Sequence, residues 1–136
     1  MLPCSDVPAN EGDGVLAVDA SSLAVTPVAT GLGSPTTVVY ANGSLWTTDG
    51  NTTLEQVDSG TGVVTPHTGI LDLPSDLIGD PADTDVIFSY DEGDSPETIN
   101  RIDVTGTPTV ASSVLEGNID NVDDIAVAPD GGRRAR

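Results

Sequence analysis

From Gly14 onward the apolar residues come in short β-type runs. Val15-Leu16-Ala17-Val18, Val38-Val39-Tyr40, Ser44-Leu45-Trp46, Val63-Val64, Val86-Ile87-Phe88 and Ile125-Ala126-Val127 are all of strand length. Between them lie Asn42-Gly43, Ser59-Gly60-Thr61-Gly62, Thr105-Gly106 and Pro129-Asp130-Gly131, residues that tolerate the dihedrals tight hairpins require. No apolar stretch at helical spacing is long enough to matter, and Gly and Pro supply 15 and 10 of the 136 residues, which denies any long helix. The pattern predicts an all-β chain. Residues 1–13 have no periodicity and read as a disordered arm, residues 14–131 carry the strands, and residues 132–136 form a basic tail.

The strand pattern repeats. Val15 to Pro27 lines up with Leu54 to Pro66, and more loosely with Ile99 to Val110. The shared element is an apolar residue, two variable ones, Val or Ile, then Asp, a turn of small residues and another strand. Pro35-Thr36-Thr37-Val38-Val39 recurs as Pro74-Ser75-Asp76-Leu77-Ile78, with a third copy at Val122 to Val127. The Asp anchors are spaced 39 (Asp19 to Asp58) and 45 (Asp58 to Asp103) residues apart, the period of a four-stranded propeller blade.

Gly43-Ser44-Leu45-Trp46-Thr47-Thr48-Asp49, followed by Leu54, Val57-Asp58 and Thr61-Gly62-Val63-Val64-Thr65, resembles the blade repeat of streptogramin-lyase-like, YVTN and NHL-type β-propellers. In the later copy Val86 to Asp91 stands in for the Trp segment, and its loop is longer. The resemblance implies blades with strands A to D running outward from an axis. It predicts a C and D pair over residues 14–30; A to D at 36–41, 44–48, 53–58 and 62–68; a second set at 75–79, 85–90, 98–103 and 108–115; and a lone A strand near 123–128. Such a chain is a partial propeller of two to three blades, whereas closure takes at least four. It is expected to be a truncated frame or a fragment. Closing a ring through missing blades or self-association is one alternative, and a β-sandwich is the other. Repeats of this kind mark an architecture and say little of activity.

Charge narrows the partners. Against 22 Asp and Glu stand four Arg and no Lys, a formal charge of -18. Phosphate surfaces need basic residues, so nucleic acid and anionic membranes are not expected as partners. No apolar run approaches the roughly 20 residues of a membrane span. One cysteine allows no internal disulfide and no Cys-based zinc site. Cys4 lacks the apolar stretch that a signal or lipoprotein leader needs and reads as incidental. High acidity without Lys suits an extracytoplasmic protein, secreted or at a bacterial cell surface, kept soluble by its charge.

In propellers the D-to-A and B-to-C connections share the face that usually carries ligands. Here that face is expected to hold Asp49, Asp72, Asp76, Asp91, Glu92, Asp94, Asp120, Asp123 and Asp124. Oxygen ligands at Asp49, Asp91, Asp94, Asp123 and Asp124 make Ca²⁺ or Mg²⁺ conceivable cofactors, although no spacing matches a dedicated metal loop and a solvated acidic surface is the preferred reading. Asp80 to Asp85 lacks the glycine and terminal Glu of a calcium loop and belongs to the opposite face. Asp19, Asp58 and Asp103 are expected to cap turns, Trp46 to pack between blades, and His67 to lie in an outer strand.

No catalytic residue is assigned. One His has no partner, and neither a Gly-x-Ser-x-Gly elbow nor a Gly-Lys-Thr phosphate loop occurs. The expected function is therefore a non-catalytic binding or scaffold unit whose loops contact a protein or glycan. A part of a lyase- or lactonase-type propeller enzyme, or a surface adhesion sandwich, are the alternatives.

Overall fold

The computed structural model describes residues 14–92, 97–115 and 125–128. Within them the protein is all-β, with ten strands in three antiparallel sheets. A two-stranded hairpin pairs β1 (Val15–Val18) with β2 (Val25–Ala29). A first four-stranded sheet contains β3 (Val38–Ala41), β4 (Ser44–Thr48), β5 (Leu54–Val57) and β6 (Val64–His67), and a second contains β7 (Pro74–Asp80), β8 (Asp83–Asp91), β9 (Thr98–Asp103) and β10 (Thr109–Leu115). Each is an uncrossed meander whose neighbours in sequence are neighbours in space. The ten strands fall where the 39- and 45-residue repeat predicts them. An eleventh was expected near 123–128. Residues 123 and 124 lie outside the described part, and residues 125–128 belong to none of the three sheets.

Turn chemistry sets the register. Asn42 and Gly43 take φ of 45° and 74°, the paired left-handed dihedrals of a two-residue hairpin turn, and Ala41 consequently faces Ser44 across the β3–β4 ladder. Alternation then decides which side chains go inside. In β9, Thr98, Asn100 and Ile102 are buried, while Ile99, Arg101 and Asp103 on the other side are half-buried.

The two four-stranded sheets share one core. Trp46 and Leu54 from the first sheet and Leu77, Ile87 and Ile102 from the second are fully or almost fully buried together, with Ala41, Leu71 and Val104. Each large side chain so buried contributes roughly 1.5–3 kcal/mol relative to exposure. Trp46 has no exposed surface, and its indole Nε1–H donates to the Ala41 carbonyl at 2.9 Å, so the ring is buried without an orphaned donor. Polar ties fix how the sheets meet. The Asn42 amide donates to the Thr84 carbonyl at 2.8 Å, its side-chain Nδ2 to the Val104 carbonyl at 2.7 Å, and Thr37 Oγ1 to the Leu77 carbonyl at 3.4 Å.

Candidate functional site

The connections after β4 and β6, and Glu92 just after β8, come together at one end of the sheets. Residues 68–73, leading from the first sheet to the second, are stitched on both sides. The amides of Ile70 and Leu71 donate to the Thr52 carbonyl, each at 3.2 Å, and that of Leu73 to the Asn51 carbonyl at 2.8 Å. On the far side the Asp72 amide donates to Asp91 Oδ2 at 2.9 Å, and the Glu92 amide to the Leu73 carbonyl at 3.2 Å. Asp49, Asp72, Asp91 and Glu92 therefore lie at one end of the sheets, whereas Asp76, expected on the same face, lies within β7, where its Oδ2 accepts the Ile125 amide at 3.3 Å. Asp94, Asp120, Asp123 and Asp124 fall outside the described residues.

Asp49 turns its carboxylate onto its own loop, where Oδ1 accepts the amides of Asn51 at 2.8 Å and Thr53 at 3.1 Å. Partial burial pushes this carboxyl up, but the hydrogen bonds from Asn51 and Thr53 outweigh it and hold Asp49 below its ordinary value. Its charge is felt by Glu55, which is raised by desolvation first and by Asp49 second.

Asp91 behaves in the opposite way. It is 2% exposed, and Oδ2 accepts both the Asp72 amide and Asn100 Nδ2, the latter at 3.0 Å. Oδ1 is buried with no hydrogen-bond partner among the described residues. Desolvation dominates and raises the carboxyl, against the opposing hydrogen bonds from Ser89, Asp72 and Asn100.

Around Asp91 lies a buried polar cluster that the pattern of apolar runs does not disclose. Ser89, Thr98 and Asn100 are all buried, and Asn100 Oδ1 accepts Ser113 Oγ at 2.5 Å. The signal was nonetheless present: Ser89-x-Asp91 and Thr98-x-Asn100 sit at period two on the inward face of paired strands. Chemically, the cluster anchors the connection over residues 68–73, through the Asp72 amide, to a carboxyl that holds a proton more readily than usual.

The opposite end of the second sheet holds Asp80 and Asp83, again as turn acceptors. Asp80 Oδ1 accepts the Ala82 amide at 2.8 Å and Asp83 Oδ1 the Asp85 amide at 3.1 Å. Asp83 also pairs with Arg101 at 3.5 Å, both side chains being substantially exposed, a geometry worth little in water.

The repeated aspartates do the job expected of them. Asp19 Oδ1 accepts the amides of Ser21 and Ser22 at 2.9 and 2.7 Å, Asp58 Oδ1 those of Gly60 and Thr61 at 2.9 and 2.8 Å, and Asp103 Oδ1 both the amide and the hydroxyl of Thr105 at 2.9 and 2.6 Å. All three carboxyls are held below their ordinary value, chiefly by Ser22, Thr61 and Thr105 respectively.

His67 lies in the outer strand β6, its Nε2 within 3.2 Å of Gln56 Oε1 and its ring 5.9 Å from that of Trp46. The imidazole is thus held between a neighbouring amide and the packed indole. Among the described residues, no group of three His, Cys, Asp or Glu side chains is placed to hold a metal ion, and no helix is long and apolar enough to cross a membrane. No protein-family model, curated protein or solved structure matches the chain.

Proposed function

We propose that the chain is a binding and scaffold unit built of β-propeller-type blades. It belongs to a bacterial protein that is secreted or displayed at the cell surface, and its loop face contacts a protein or glycan. The observation that carries the reading is the repeated uncrossed meander, β3 to β6 and then β7 to β10, packed face to face. Greek-key crossings, which a sandwich would use, are not found between these strands.

The disposition of the acids supports a contact surface. Asp49 and Asp91 direct carboxylate oxygens into their own framework, which shapes the connections and leaves Asn51, Thr52 and Glu92 exposed on them. A rigid loop face of this kind offers a partner pre-ordered contacts, which reduces the entropy lost on binding. The test is binding of the purified chain to a panel of immobilised glycans and to intact bacterial cells, beside the variant Asn51→Arg/Glu92→Lys. Retention by a glycan or by a cell-surface protein, reduced at least about tenfold in the variant, is the expected result. Retention unaffected by the substitutions, or none on any surface, would sink the reading.

A further inference from the structure

We propose that the chain associates head to tail with a second copy of itself, through two exposed surfaces that together reproduce its internal sheet-to-sheet contact. The proposal concerns a partner other than the ligand of the loop face and does not depend on what that ligand is.

The internal contact supplies the template. Where the first sheet meets the second, Val39 and Ala41 of β3 face Leu77 and Gly79 of β7. The approach is close enough that a Cβ on Gly79 would lie 3.1 Å from Val39 Cγ2. In the sequence repeat Leu77 and Gly79 correspond to Val38 and Tyr40, 39 positions earlier. Val38 and Tyr40, however, are 50% and 65% exposed. The reason is that the β1–β2 hairpin, which precedes the first sheet, has no counterpart of β3 or β4 among the described residues. Beside this uncovered step, Val18 is 60% exposed, although its repeat counterpart Val57 is fully buried. Leu16 and Val38 line one cleft, Val18 faces Val25 across the β1–β2 hairpin, and with Tyr40 these exposed side chains supply the apolar head, alongside a β1 edge that pairs with nothing among the described residues.

The matching tail lies at the far side of the second sheet. Ile78, Phe88 and Ile99 point away from the shared core and line an apolar cleft of about 330 Å³ with residues 125–128. In that segment Ile125 and Val127 are half-buried whereas Ala126 and Ala128 are exposed. Ile125-Ala126-Val127-Ala128 repeats Val38-Val39-Tyr40-Ala41, so Ala126 and Ala128 correspond to Val39 and Ala41, the pair that covers the next sheet inside the molecule.

Set against the head of a second copy, Ala126 and Ala128 would cover Val38 and Tyr40 as Val39 and Ala41 cover Leu77 and Gly79. The unlike surfaces make a heterologous interface, which closes into a ring or extends as an open chain. The side chains named on the two surfaces are all uncharged, which matters because two copies each carrying -18 repel over a Debye length.

The experiment is sedimentation of the full chain over a wide concentration range in about 1 M salt, where the Debye length is about 3 Å. Two variants accompany it: a head variant, Val18→Glu/Tyr40→Glu, and a tail variant, Ala126→Glu/Ala128→Glu. All four positions are exposed, and circular dichroism checks folding; Tyr40→Ser replaces the head variant should that one unfold. The wild type is expected to form dimers and larger species. Each variant alone is expected to associate at least about tenfold more weakly, whereas their equimolar mixture forms dimers and nothing larger, because one good head and one good tail remain. A wild type that stays monomeric throughout, variants that associate like wild type, or a mixture that stays monomeric would each overturn the proposal.

Discussion

Leu23 and Gly62 occupy the same place in the same turn. Each lies four residues beyond the aspartate that caps the turn, each donates its amide to that aspartate's carbonyl, at 2.8 and 2.7 Å, and each has a left-handed backbone, φ 58° and 73°. Only one of them is a glycine. A left-handed conformation costs an L-residue roughly 1–2 kcal/mol, and Leu23 is 72% exposed, so it recovers little of that by burial. Leu23→Gly is therefore expected to stabilise the protein by about 1 kcal/mol, less some loss of unfolded-state restriction. The reverse change is more severe, because a Cβ at Gly62 would lie 2.4 Å from the Val28 carbonyl oxygen. Urea midpoints of Leu23→Gly and Gly62→Leu, moving in opposite directions with the second change larger, are the outcome to look for.

Acid stability follows from the capped turns. Asp19, Asp58 and Asp103 have folded values below the ordinary one, so each carboxylate contributes stability that is fully present above the unfolded pKa, about 3.9. It is lost as pH falls through the lower folded value. The triple variant Asp19→Asn/Asp58→Asn/Asp103→Asn keeps an acceptor oxygen at each turn but no charge. Its melting temperature is expected to fall less steeply than that of the wild type below about pH 4. Equal slopes for the two proteins would show that the acid sensitivity arises elsewhere.

Asp91 carries the opposite sign. Its folded value is raised by desolvation, so the protonated form is the one the fold prefers. Stability is greatest below the unfolded pKa and declines as pH rises through the folded value. Asp91→Asn removes the buried charge while an amide oxygen still accepts from the Asp72 amide and Asn100. It should flatten the part of the stability profile above about pH 4, with a neutral-pH stability equal to or above that of the wild type. Asp91→Ala instead leaves those donors unpaired and should cost about 1–3 kcal/mol. Thermal melts of the three proteins between acid and neutral pH separate these outcomes.

Much of this was legible along the chain because the signals are local. Asn42-Gly43 announces its hairpin, Asp58 with Thr61 and Gly62 announces the next turn, and the recurrence of these residues dictates the order of the strands. The role of Asp91 was not legible in the same way. Asp49, just after β4, and Asp91, the last residue of β8, look alike in sequence, yet one carboxylate caps an accessible loop and the other is buried beneath the Asp72 amide. That difference depends on where the connection over residues 68–73 crosses, a tertiary contact without period or motif. Leu23 likewise lies in a turn whose spacing was readable, but its strained backbone was not, since nothing in the residue type requires a positive φ.

Asn42 offers a way to weigh the tie between the two sheets. It combines a left-handed backbone with a side-chain bond to the carbonyl of Val104, a residue 1% exposed. Asn42→Gly retains the dihedral and deletes only the bond, leaving that carbonyl without the amide; about 1 kcal/mol of stability should be lost, partly offset because glycine enters the turn without strain. Asn42→Ala deletes the bond and adds the left-handed penalty of roughly 1–2 kcal/mol, so stability should decrease in the order wild type, Asn42→Gly, Asn42→Ala. The single tryptophan, Trp46, reports on the first sheet, and amide exchange at Ile87 and Ile102 reports on the second. Because these residues share one core, fluorescence and exchange should still lose protection together in Asn42→Gly. Exchange in the second sheet at a markedly lower denaturant concentration than the Trp46 transition would mean that the Asn42 bond, rather than the common apolar packing, couples the sheets.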